Sequence, residues 1–104
     1  MTTNQVLDAL GDPTRRALCE RLAAGPQPVG RLAEQLPVSR PAVSQHLKVL
    51  KQAGLVTDRA VGNRRFYELD PAGLAGLKVW LDRVWSDALS AFKTVAEQPV
   101  QEET

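Results

Sequence analysis

One predicted helix carries polar side chains whose types and spacing suit hydrogen bonding to base edges and phosphates. The helix runs from Arg40 to about Ala53, and its core-facing residues are Val43, Leu47 and Leu50. Because successive helical residues are turned by 100°, its polar residues face outward. Arginine can pair with guanine, glutamine with adenine and serine with several bases, whereas lysines near the far end suit phosphate. The outward residues are Arg40, Pro41, Ser44, Gln45, Lys48 and Lys51.

A second polar group follows the point where helical periodicity gives way to a strand-like pattern. The segments Leu55–Val61 and Arg65–Leu69 are predicted strands, and the Gly62-Asn63 pair between them is typical of a tight hairpin turn. Arginines at such a tip suit contact with the phosphate backbone or with an adjacent minor groove. The competing interpretation is that they serve only to keep an exposed hairpin soluble. The candidate contacts at the tip are Asn63, Arg64 and Arg65.

The charge distribution favours a polyanionic partner for this middle region. The whole chain has 104 residues and a formal net charge of +1. From Ser39 to Tyr67, however, six basic residues stand against one acidic residue, so this segment carries +5 and the rest carries −4. A basic face within an acidic frame indicates nucleic-acid binding.

The same inventory argues against an enzyme and against a metal or other cofactor. Cys19 and His46 are the only cysteine and histidine, so no internal disulfide or cluster of soft metal ligands can form. No glycine-rich phosphate loop is present. We expect Cys19 to be a buried, inert thiol, with a redox switch as the open alternative, and His46 to make a structural hydrogen bond. The single cysteine and the lack of a signal peptide or a membrane span predict a cytoplasmic protein.

Proline, glycine and capping residues divide the remaining chain into short helices. An amphipathic turn is expected from about Gln5 to Leu10. A helix then starts at Asp12-Pro13 and stops near Gly25-Pro26. Another runs from Pro28 or Val29 to Leu36, before the break that precedes the polar helix. One domain over residues 1–98 and an acidic, disordered tail over 99–104 are expected.

The last helix is too apolar for one small domain to cover. It starts at Asp70-Pro71 and runs to about Glu97, with apolar residues spaced alternately by three and four over three heptads. Dimerisation through this helix and the N-terminal segment explains the excess. The open alternative is a pocket for an apolar effector, lined by Trp80, Trp85 and Phe92. The predicted dimer interface consists of Val6, Leu7, Leu10, Leu77, Leu81, Val84, Trp85, Ala88, Leu89 and Phe92.

Three segments of the chain carry recognisable motifs. Residues 12–16 read DPTRR, residues 38–56 read VSRPAVSQHLKVLKQAGLV, and residues 62–69 read GNRRFYEL. Together these segments resemble the ArsR family of bacterial transcriptional regulators. The resemblance extends from about Leu7 to Glu97. It implies a mainly α winged helix-turn-helix of five helices and a two-stranded wing. It also implies a homodimeric repressor on a palindromic operator in the bacterial nucleoid. Family DNA contacts map to Ser39, Arg40, Pro41, Ser44, Gln45 and the wing.

The resemblance fails at the metal-sensing positions of that family. Where the metal-sensing branch has Cys-x-Cys, this chain has Pro28 and Gly30, and its last helix lacks the histidine of the second family site. Thiolate and imidazole are the ligands that soft or borderline metals prefer. The chain therefore resembles the branch of the family that does not sense metals. The sequence does not indicate its inducer, its operator or its target genes. The competing interpretation is a winged-helix module for protein interaction, whose outward helix face would be apolar or acidic.

Overall fold

The computed structural model describes residues 2–97, which form five α-helices and one antiparallel sheet. One strand of the sheet lies between the second and third helices in the chain, and the other two lie between the fourth and fifth. The elements are α1 Thr3–Ala9, α2 Pro13–Leu22, β1 Gln27–Pro28, α3 Val29–Gln35, α4 Arg40–Gln52, β2 Val56–Val61, β3 Arg64–Leu69 and α5 Pro71–Glu97. The predicted tail over residues 99–104 lies outside the described residues.

Side-chain caps determine where the helices begin. Asp12 accepts hydrogen bonds from the backbone N–H groups of Thr14 (2.8 Å) and Arg15 (3.1 Å), which confirms the predicted start of α2. These bonds, led by the one from Arg15, hold the pKa of Asp12 below its ordinary value. Ser39 caps α4 in the same way, accepting from Ala42 at 3.3 Å. The first helix begins earlier than predicted because Thr2 and Gln5 form a capping box.

The core forms around α4. Val43, Leu47 and Leu50 are fully buried, as the helical periodicity predicts. Leucines from α2 and α3 and the start of β2 complete the centre. The fully buried large side chains are Leu18, Leu32, Val43, Leu47, Leu50, Leu55 and Val56. Burial of this aliphatic set stabilises the arrangement of α2, α3 and α4 that positions the outward face of α4.

The wing contains one strand more than the two-stranded hairpin predicted from the sequence. Strand β1 pairs with β3, with Gln27 opposite Tyr67 and Pro28 opposite Phe66, so the strand order is β1-β3-β2. The predicted turn between β2 and β3 is confirmed. Of its two central residues, Gly62 has a positive φ of 62° and Asn63 does not, as in a type II′ turn. Arg64 begins β3 instead of lying in the turn, directly opposite Val61.

Two arginines fix α1 onto the body of the molecule. Arg15 donates through Nε to the carbonyl of Ala9 (2.6 Å), and Arg16 donates through Nη1 to the carbonyl of Leu10 (2.8 Å). Both therefore bind the carbonyl end of α1, where a positive charge is favourable. The Nη1 of Arg15 also lies 3.4 Å from the Nδ1 of His46, which confirms the predicted structural hydrogen bond of that histidine.

The N-terminal helix contributes more side chains to the core of its own chain than the sequence predicted. Val6 was expected at a dimer interface, but only 4% of it is exposed, because α1 packs against α4 and the start of α5. Leu10 is half-buried against the same core, whereas Leu7 is 37% exposed. An apolar stripe on a short helix does not itself reveal whether its cover is the same chain or a second one.

The long helix α5 contacts the body only through its first turns. Gly73 is buried so closely against the 54–55 backbone that a Cβ there would stand 2.1 Å from the carbonyl oxygen of Gly54. Leu77 and Trp80 are half-buried, and every residue from Leu81 to Glu97 is exposed. Within residues 2–97, no helix is long and apolar enough to cross a membrane.

Candidate nucleic-acid interface

The predicted contact face of α4 is open to solvent along its whole length. The N-terminal half presents Arg40, Ser44 and Gln45, and the C-terminal half presents the two lysines. Ser39 uses its hydroxyl oxygen to cap the helix, so its other lone pair and its proton are free for a second contact. The ten predicted contacts are all exposed: Ser39, Arg40, Pro41, Ser44, Gln45, Lys48, Lys51, Asn63, Arg64 and Arg65.

The wing and the N-terminal end of α4 lie on two sides of one groove of about 630 Å³. Arg40 comes from α4, and Asn63, Arg64 and Arg65 come from the wing. The third side is the beginning of α3, where the Arg40 guanidinium carbon lies 3.7 Å from the place that a Cβ on Gly30 would occupy. The structure therefore brings together four of the predicted contacts, which stand on separate elements. Ser44, Gln45 and the two lysines lie along α4 outside this groove.

The two wing arginines have different environments. The guanidinium of Arg64 lies over the ring of Phe66, 5.4 Å from its centroid, an arrangement that orients the side chain through a cation–π interaction. Arg65 instead donates through Nη1 to the carboxylate of Asp58 at 2.9 Å. Arg64 therefore keeps its hydrogen-bond donors available for a ligand, whereas Arg65 has part of its fork engaged within the protein.

Asp58 joins the wing to the C-terminal end of α4. One of its carboxylate oxygens lies 2.7 Å from the Nζ of Lys51, and the other accepts from Arg65. Only 10% of the Asp58 side chain is exposed. The hydrogen bond from Lys51, followed by that from Arg65, lowers the pKa of this carboxyl below its ordinary value. Lys51, predicted to bind phosphate, and Arg65, predicted to reach the phosphate backbone or a minor groove, are thus paired with a carboxylate.

Sequence reasoning missed three charged residues of this region. Arg31 and Glu34 of α3 line the groove, and Asp58 pairs with two of the predicted contacts. Arg31 had a detectable signal, because Leu32, Ala33 and Leu36 form the inward stripe of its helix and leave Arg31 outside. The part of Asp58 was not visible in the sequence, since its partners are seven residues away in each direction and only the folded wing brings them together.

The structure bears on a metal site and on the reactivity of the single cysteine. Within residues 2–97, no three histidine, cysteine or carboxylate side chains come together as a metal site. Cys19 is half-buried, and burial, with a smaller effect of Glu20, raises the pKa of its thiol. A raised pKa lowers the thiolate fraction and so disfavours reactivity at this cysteine.

Comparison with known proteins identifies regulators that resemble this chain in sequence. A family model described as a helix-turn-helix domain matches residues 10–59, which include α2, α3 and α4. The HTH-type transcriptional regulator Rv2034 of Mycobacterium tuberculosis is 66% identical over 84 residues, covering 81% of this chain and 78% of the relative. The transcriptional repressor SdpR of Bacillus subtilis is 36% identical over 78 residues, covering 75% and 87%.

Solved structures agree over nearly the whole chain. An ArsR-like transcriptional regulator from Rhodococcus sp. RHA1 superposes with a TM-score of 0.77 at 35% identity, covering 93% of this chain and 94% of the neighbour. A possible transcriptional regulator for arsenical resistance gives a TM-score of 0.72 at 46% identity, covering 91% and 96%. The similarity therefore includes the wing and the beginning of α5 as well as the central helices.

Proposed function

This chain belongs to the ArsR family of winged helix-turn-helix transcriptional regulators, and we propose that it represses transcription as a homodimer bound to a palindromic operator. It acts by binding DNA and not by catalysis. Its site of action is the bacterial cytoplasm, at the nucleoid. Its relatives include proteins named as repressors, among them SdpR and an arsenical resistance operon repressor from Staphylococcus xylosus.

The observation that carries the proposal is the shared groove between α4 and the wing. Arg40 and Arg64 face it from separate elements, and the outward residues of α4 continue beyond it. A helix in the major groove with a basic wing beside it can contact base edges and flanking phosphates at once. Arg40, Ser44 and Gln45 are then the base contacts, and Lys48, Asn63 and Arg64 position the backbone. Lys51 and Arg65, which pair with Asp58, add further phosphate contacts.

The homodimer is supported by the exposed apolar stripe on α5. Among residues 2–97, every residue from Leu81 onward is exposed, and Trp85 and Phe92 are 67% and 71% exposed. A lone helical extension of this length is only marginally stable in water, and contiguous apolar patches of this kind mark interfaces. A second copy of α5 provides the matching stripe by symmetry. The exposed apolar members of the proposed interface are Leu7, Leu81, Val84, Trp85, Ala88, Leu89 and Phe92.

The direct test is an electrophoretic mobility shift on the DNA upstream of the protein's own gene. We expect a shift at low salt that weakens steeply as salt increases, because neutralised phosphates release counterions. The footprint should contain two half-sites about 34–36 Å apart, one helical turn, so that both copies of α4 reach one face of the duplex. The absence of any shift at low salt would contradict the proposal.

Two arginine variants separate base contacts from phosphate contacts. Arg40→Ala should cost about 1–3 kcal/mol on the operator and relax the preference at one base pair of each half-site. Arg64→Ala should weaken binding to operator and mixed-sequence duplexes by the same factor. Arg83→Ala, on the exposed surface of α5, is the control for the loss of one positive charge. A base-selective loss in Arg64→Ala would refute its assignment to the backbone.

A further inference from the structure

Helix α3 places in the groove an arginine that is not among the ten contacts predicted from the sequence. Arg31 is exposed and lines the 630 Å³ groove together with Arg40 and Arg64. It also lines an adjoining cleft of about 370 Å³ on the other side, which Arg64 shares. Arg31 and Arg64 therefore stand together between two neighbouring depressions of the surface.

The fold holds Arg31 at this position. Helix α3 begins directly after β1, and β1 is paired with β3 of the wing, with Pro28 opposite Phe66. Leu32, the next residue after Arg31, is fully buried and anchors the helix to the core. Gln35 donates to both the carbonyl of Arg31 (3.0 Å) and the side chain of Gln27 (2.7 Å), which joins α3 to β1 a second time. Strand β1 thus fixes the distance between α3 and the wing.

The charge of the groove suits a phosphate strand. Among residues 2–97, Arg31, Arg40 and Arg64 have no carboxylate within 4.0 Å of their guanidinium nitrogens. Glu34 is the one acidic residue among those that line the groove in the described chain. Three available arginine forks on three elements are arranged for oxygens of an extended anion, since each fork can bind a phosphate through two nitrogens.

We propose that Arg31 binds a backbone phosphate of the DNA, and that the groove between α3, α4 and the wing holds one strand of the duplex. The inference rests on the proposed function and deepens it by adding a phosphate-binding residue from α3. Arg31 increases affinity for every sequence equally. Glu34, on the same helix, repels the same strand and so lowers the affinity for every sequence.

The test measures binding of a mixed-sequence duplex of about 30 base pairs by fluorescence anisotropy over a salt series, a length that accommodates two half-sites. Arg31→Ala should lower the affinity at low salt about tenfold, and the slope of log affinity against log salt should fall by about two per dimer, one for each lost phosphate contact. Arg31→Lys should restore the slope, because a lysine still neutralises phosphate. Glu34→Gln should strengthen binding of the same duplex.

The control and the contradictory outcomes are distinct from those of the proposed function. Arg83→Ala removes the same charge from α5 and should leave the salt slope unchanged. If wild type binds the duplex but Arg31→Ala matches Arg83→Ala in slope and affinity, the assignment of Arg31 is refuted and the proposed function stands. A loss confined to one operator sequence also refutes a phosphate contact. If wild type itself fails to bind at low salt, the proposed function fails, and this inference fails with it.

Discussion

Replacing Asp58 with asparagine should destabilise the protein by removing the carboxylate that joins α4 to the wing. Asp58 is 10% exposed, and its partners Lys51 and Arg65 are 54% and 55% exposed, so the cluster lies between a surface pair and a buried one. Exposed pairs contribute about 0.2–1 kcal/mol, and hydrogen bonds to charged groups about 1.5–3 kcal/mol. Asparagine can keep one hydrogen-bond acceptor. We therefore expect the free energy of unfolding at pH 7 to fall by about 2 kcal/mol, which corresponds to about 10 °C in Tm for a domain of this size.

The pH dependence identifies the cause of this loss. The pKa of Asp58 is lowered in the folded protein, so its stabilisation is complete above its unfolded pKa of about 3.9 and is lost as pH falls through the native value. The difference in free energy of unfolding between wild type and Asp58→Asn should therefore be constant above about pH 5 and shrink below about pH 4. This difference in free energy is measured by urea unfolding. Both proteins are compared at the same protomer concentration, because the stability of the proposed dimer depends on concentration.

A matched control comes from α5. Lys78 and Asp82 are also 2.7 Å apart, but the Asp82 side chain is 65% exposed, so Asp82→Asn should change stability far less than Asp58→Asn. Asp58→Asn also removes a negative charge beside two proposed DNA contacts, so the affinity of this variant for mixed-sequence DNA at low salt should increase while its stability decreases. The reasoning is refuted if Asp58→Asn is as stable as Asp82→Asn, or if its deficit persists undiminished at pH 3.

Two further pairs of substitutions, each a test variant with its control, probe the packing and the dimer. Gly73→Ala places a Cβ 2.1 Å from the Gly54 carbonyl oxygen and should destabilise by about 1–3 kcal/mol, whereas Gly76→Ala on the same helix meets nothing within 4 Å and should stabilise by up to about 1 kcal/mol. Thermal unfolding that ranks the two variants the other way would contradict this geometry. Leu81→Glu should produce monomers that no longer bind the operator, and Val79→Glu, exposed on the opposite side of α5, should remain dimeric. Sedimentation that finds Leu81→Glu still dimeric would refute the proposed interface.

The sequence was sufficient for most features that depend on neighbours within one or two turns, although the capping box of Thr2 and Gln5 was missed. Ser39 at the start of α4 and the inward set Val43, Leu47 and Leu50 follow from capping and from the helical period, and both were predicted correctly. The turn at Gly62 is likewise local, because its positive φ depends on the glycine itself.

Features that depend on distant partners were missed. Strand β1 has two residues, too few to show any periodicity, and exists only because β3 lies beside it about 40 residues later. Val6 belongs to an apolar stripe that fits a core or an interface equally well, and only the position of α1 decides between them. The ion pairs of Asp58 are invisible for the same reason, since opposite charges are common and the fold selects which of them meet.

The two proposed interfaces meet at one junction, which determines how they work together. Gly73 packs against the backbone at Gly54, immediately after α4, and the N–H of Asp70 donates to the carbonyl of Leu55 at 2.8 Å. The first turn of α5 is therefore held directly against the segment that joins α4 to β2. Close packing transmits a change of angle instead of absorbing it. The orientation of α5 in the proposed dimer then sets the direction of each α4, and with it the distance between half-sites that one dimer can reach.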